Sequence, residues 1–126
     1  MHSSPKIIDL DFAKIEIYPK FLTSTIQEGV VFGIKHLEKI NSVFQEHYPN
    51  QKFGYISNRK FDYSVDPICY LESDRFTHLT CIAIWCHNET NLNTTEIEKN
   101  FNKKPFEAFY TFEECKNWVE QILHSN

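Results

Sequence analysis

"LTCIAIWC", residues 79–86, is an almost unbroken apolar run of strand length. A strand that faces water on one side alternates apolar and polar residues. A strand covered on both sides does not need to, and it reads as a continuous hydrophobic stretch, as in parallel sheets with helices on both faces. Eight residues are too few for a helix that buries a full stripe. The stretch therefore predicts an interior strand with parallel neighbours, and the rest of the chain is read outward from it.

On the N-terminal side, Asp66 and Pro67 mark a helix start. The aspartate can accept from free backbone N–H groups, and proline suits the first helical position, where no N–H is required. Before them, residues 52–57 read as a strand. Residues 33–48 read as a helix with Ile34, Leu37, Ile40, Val43 and Phe44 on one face, stopped by Pro49. Residues 14–18 and 21–27 alternate around Pro19–Lys20 as a hairpin, with residues 1–11 an arm ahead of them.

On the C-terminal side, Asn93 and Glu96 have capping-box spacing and predict a helix from about Asn93, with Leu92 stapled to Ile97. Residues 106–110 read as the last strand. Thr111 and Glu114 open a final helix with Cys115, Trp118, Val119, Ile122 and Leu123 on one face. The order is β-β-α-β-α-β-α-β-α. It predicts an α/β domain over residues 1–126, with a mostly parallel sheet and an N-terminal antiparallel hairpin.

Composition narrows the function classes. The 126 residues carry a net charge of −4 with both signs dispersed, which argues against a nucleic-acid binder. Aromatics make up 15%, enough for a packed core. None of the four cysteines forms a C-x-x-C pair, and they read as buried free thiols of a cytoplasmic protein. Cys86 and His87 match no zinc spacing, so no metal and no cofactor is expected. No apolar run approaches the roughly 20 residues of a membrane-spanning helix, and no stable membrane insertion is expected. The chain has only three glycines, with no G-x-G-x-x-G, P-loop or G-x-S-x-G, and no catalytic residue is assigned.

The segment "GYISNRKFDYSVDP", residues 54–67, concentrates polar groups between a strand and a helix. Ligands of open α/β sheets gather outside the carboxyl ends of the strands. Asp66 and Pro67 answer the helix's structural needs. Ser57, Asn58, Arg59, Tyr63 and Ser64 are the candidate binding residues, with Ser57, Asn58, Arg59 and Tyr63 expected to face outward for recognition. Phe61, Tyr63 and Trp85 are candidates to line a groove or a dimer contact.

The stretches "GYISNR", "YSVDP" and "KKPFEAF", followed by the "EECKNWV" helix, resemble the SpoIIAA-like group, also described as STAS/SEC14-type domains, and among them small proteins of Bacteroidetes bacteria. The resemblance runs from about Ile15 to Leu123. It implies a right-handed β-α superhelix with strands in sequential order. It also implies a non-enzymatic regulatory or protein-interaction module, a homodimer among the options. The alternative it implies is a carrier or sensor of a small amphipathic or lipid-like ligand; an enzyme ranks third. Anti-anti-sigma factors of the group are phosphorylated on a serine in a D-S-[ST]-G type turn. Here the matching turn is longer and lacks the glycine, with Ser64 nearest the position.

Overall fold

The computed structural model describes residues 4–72 and 75–125. Among them the elements run β1 (Lys6–Asp9), β2 (Ala13–Ile17), β3 (Phe21–Ile26), β4 (Val31–Phe32), α1 (Ile34–His47), β5 (Phe53–Asn58), β6 (Ser64–Val65), α2 (Ile68–Glu72), β7 (Leu79–Trp85), α3 (Glu89–Lys99), β8 (Phe106–Phe109) and α4 (Phe112–Ser125). The main sheet has the order β1-β2-β3-β5-β7-β8. Its first three strands are antiparallel, and β3, β5, β7 and β8 are parallel. The apolar run of β7 lies between β5 and β8, as its composition requires.

Three short strands add to the expected order. Lys6–Asp9, expected as part of an arm, pairs with β2 and becomes an edge strand. β4 and β6 pair with each other in a separate parallel ladder, Val31 opposite Ser64 and Phe32 opposite Val65.

Strand periodicity divides the core into two. One face of the sheet carries Ile15, Leu22, Ile26, Phe53, Ile82 and Ile84, packed under Ile40, Val43 and Phe44 of α1, Cys69 of α2 and Leu92 of α3. The other carries Phe21, Ile56, Cys81 and Ala83 under Cys115 and Val119 of α4. The absent side chain of Gly54 lets α4 lie close on that face: a Cβ there would stand 2.4 Å from Val119 Cγ1. The register slips by one residue between Phe53 and Gly54, leaving Thr80 as the extra residue on β7.

The helix starts follow their caps. Asp66 Oδ1 accepts from the Ile68 N–H at 3.1 Å. At α4, Thr111 Oγ1 accepts from the Glu114 N–H at 3.1 Å and lies 3.0 Å from Glu114 Oε1. The start of α3 differs from the expectation. Asn88 is the cap, its side chain accepting from the Asn91 N–H at 2.8 Å, so the helix begins a turn earlier than Asn93. Ile97, expected in an apolar staple, is 63% exposed. The face α3 buries is instead polar: Asn91, Thr95 and Glu98, at helical spacing.

All four cysteines are free and buried. Burial pushes the thiols of Cys81 and Cys115 up to about 12. Among the described residues, no helix is long and apolar enough to cross a membrane. No group of three or more His, Cys, Asp or Glu there could hold a metal ion.

Candidate functional site

Alternation along β5 decides which polar residues meet. Tyr55 and Ser57 point to the face beneath α1 and α3, whereas Ile56 and Asn58 point to the other. The ladder runs one residue past the strand, because the Arg59 N–H donates to the Trp85 carbonyl at 3.0 Å. Arg59 therefore shares the face of Tyr55 and Ser57. Its side chain is 11% exposed and runs inward, and Ser57 is buried, which corrects the expectation that both face solvent.

The guanidinium meets Glu98 of α3. Nη1 and Nη2 donate to the two carboxylate oxygens at 2.7 and 2.8 Å, the parallel bidentate geometry of a strong charge-assisted pair. Glu98 is 4% exposed at its side chain. Arg59 Nε donates to Ser57 Oγ at 2.8 Å. The Tyr63 ring lies 5.2 Å from the guanidinium carbon, within cation–π range, and its hydroxyl is 3.3 Å from Ser57 Oγ. Burial works against the Arg59 charge, but Tyr63 and the bonded carboxylate of Glu98 outweigh it and raise its pKa, so Arg59 stays a cation. The Tyr55 hydroxyl is hydrogen-bonded to Ser24, and burial raises its pKa, so it stays a neutral phenol at physiological pH.

These groups close one end of a cavity of about 100 Å³ between the sheet and the helices α1, α2 and α3. The rest of the wall is mostly apolar, with Ile26, Leu37, Phe44, Phe76 and Ile84 among the contributors. Tyr55, Ser57, Arg59, Tyr63 and Glu98 all reach it. The polar end therefore stands at the carboxyl end of β5, where ligands of parallel sheets are bound.

Three of the five candidate residues, Ser57, Arg59 and Tyr63, come together here. Asn58 does not. It faces a polar cleft on the opposite side with Thr25 and Lys60, donates to Thr25 Oγ1 at 3.3 Å and lies 2.6 Å from His87 Nε2. Ser64 is exposed in β6, its backbone N–H donating to the Val30 carbonyl. Trp85 packs beside Phe112 of α4 at 5.7 Å on the far face, away from the cavity. Phe61 lines the polar cleft.

Glu98 and Tyr55 escaped the sequence reading. Continuing the period of β5 by two residues would have placed Arg59 inward beside Tyr55. Glu98 had a weaker signal, because a search for apolar spacing passes over a helix whose inner face is polar.

No family model matches the chain, and no curated protein matches it. The fold is similar to the crystal structure of an uncharacterized protein of the DUF3478 family, with a SpoIIAA-like fold, from Shewanella loihica PV-4. The TM-score is 0.55 at 11% identity, with 94% of this chain and 98% of that chain covered. At that identity the likeness concerns the fold alone. The chain has a SpoIIAA-like α/β fold, as the "GYISNR" and "KKPFEAF" stretches imply.

Proposed function

We propose that the protein binds a small, mostly apolar molecule between its sheet and the helices α1–α3, as a carrier or sensor. The observation that carries this reading is a cavity with apolar walls and polar groups converging at one end. That is the usual build of a small-molecule site, where apolar surface supplies affinity and a few fixed polar groups supply orientation. An apolar cavity of about 150 Å³ accepts benzene. The cavity here, about 100 Å³, suits a short aliphatic body with one polar head. No catalytic step is assigned to it.

The test is mass spectrometry of small molecules released from the purified protein, compared with Val65→Phe. Val65 lines the cavity and is half-buried in β6, so a larger side chain there fills the space. A compound carried by the wild type and lost from a folded Val65→Phe variant supports the reading. If the wild type neither carries nor takes up any compound, the reading is abandoned.

A second reading, a non-enzymatic module that docks a protein partner or another copy of the chain, has one observation in its favour. α3 turns its polar face inward and Ile97 outward. Exposed apolar side chains mark contact surfaces when they join into a patch. Sedimentation over a wide concentration range, with Ile97→Glu as control, tests self-association. A wild type that stays monomeric at every concentration removes the homodimer form of this reading.

A further inference from the structure

We propose that Glu98 acts as an internal counter-ion that makes the cavity select uncharged, hydrogen-bond-accepting heads, such as a ketone or a primary amide, over carboxylates. This rests on the cavity being a binding site, and it names the chemical class of the guest.

The polar end holds one cation and one anion, Arg59 and Glu98, joined through both carboxylate oxygens. Its net charge is zero. A lone buried arginine would attract anions. Here the place that a ligand carboxylate would take on the guanidinium fork is already filled by the protein's own carboxylate. An anionic head would have to lie beside Glu98 with little water between them, where like charges repel strongly.

The hydrogen-bond inventory points to an acceptor head. A guanidinium carries five N–H donors. Nε donates to Ser57, and Nη1 and Nη2 each donate one hydrogen to Glu98. Each of those two nitrogens carries a second N–H. The hydroxyls of Ser57 and Tyr63 stand 3.3 Å apart and can share only one hydrogen between them, leaving the other to donate. Two guanidinium N–H groups and one hydroxyl hydrogen are therefore not spent on Glu98 or on the Ser57–Tyr63 contact, and a carbonyl oxygen entering from the apolar side can meet hydrogens with no excess charge beside them. Glu98 thus sets specificity through the charge it cancels.

The experiment is a two-dimensional NMR titration of the full chain at pH 7.5 with butan-2-one, propanamide and propanoate, which are smaller than benzene, following the backbone amides of Ser57, Arg59 and Glu98. Xenon serves as a probe without a head. The expected result is that xenon, the ketone and the amide shift these signals, with propanoate at least about tenfold weaker. Glu98→Gln keeps the side chain's shape and leaves the polar end with a net positive charge. In that variant propanoate should gain at least about tenfold and overtake the ketone. Wild-type protein that takes propanoate as well as butan-2-one overturns the counter-ion role, as does a folded Glu98→Gln variant with unchanged preference. If Glu98→Gln does not fold, the wild-type ratio alone decides. If xenon enters while neither neutral head binds, the selection of acceptor heads is wrong and the cavity reading stands. If no probe, xenon included, shifts any of the three amides, the binding reading itself fails.

Discussion

Replacing Gly54 by alanine should destabilise the protein through a single contact. Gly54 lies in β5 on the face covered by α4. A Cβ added there would stand 2.4 Å from Val119 Cγ1, 3.3 Å from Cys81 Sγ and 3.4 Å from Val119 Cβ. Carbon atoms pack at about 3.5–4.0 Å, so the first of these distances is short by more than 1 Å. The neighbour cannot yield easily. Val119 is fully buried, and a valine in a helix strongly prefers one rotamer. The helix must then back away from the sheet, which loosens Cys115 and Val119 over β5 and β7. Overpacking of this kind costs about 1–3 kcal/mol. Gly54 does not have positive φ, so alanine fits its backbone and gains about 0.4–1 kcal/mol by restricting the unfolded chain. The net expectation is a loss of roughly 1–2 kcal/mol. The assay is a urea melt followed by tryptophan fluorescence; both tryptophans of the chain, Trp85 and Trp118, pack on this face. Val119→Ala removes the clashing methyl. In that background Gly54→Ala should be neutral or stabilising, a coupling of about 1–3 kcal/mol between the sites. An equal loss in both backgrounds, or no loss in the wild type, would refute the account of how α4 seats on the sheet.

Other expectations follow from the same contacts. Arg59→Ala with Tyr63→Ala should lower stability by about 3–5 kcal/mol in urea melts, because it strands the buried Glu98 carboxylate; an unchanged melt would place that pair in solvent. Asp66→Ala, which removes the cap of α2, should cost about 0.5–2 kcal/mol by the same assay. Trp118 is only half-buried, so Trp118→Ala should cost about 1–3 kcal/mol, below the range for a fully enclosed ring; a larger loss would show that more of the helix depends on it. For Cys81 and Cys115, burial moves the thiols from an ordinary 9.0 up to about 12. Between those values the unfolded chain has released protons that the native protein keeps, so their contribution to stability is complete below about pH 9 and is lost as pH rises toward 12. Native protein at pH 8 should resist a thiol reagent that labels all four cysteines after unfolding, and rapid native labelling would contradict their burial.

The sequence by itself determined the parts of this fold that rest on local pattern. The continuous apolar run of β7 implied cover on both faces, and the helix-spaced stripes of α1 and α4 implied the layers that provide it. The Asp66–Pro67 and Thr111–Glu114 starts were legible because a cap acts within three residues. Patterns that compete locally were misread. Asn93 has the same capping chemistry as Asn88, and only the polar stripe of Asn91, Thr95 and Glu98 reveals which one opens α3. Tertiary structure alone decided what Arg59 meets. In a turn rich in polar residues, with Asp62 three residues on, an arginine looks solvated or locally paired. Its partner is Glu98, 39 residues later and on another element. A buried charge is tolerable only where an opposite charge with matching geometry is brought to it, and that juxtaposition does not exist until α3 packs over the end of β5. The cavity has the same origin. Its walls come from the sheet and three helices that meet only in the folded chain, so no single stretch of sequence contains it.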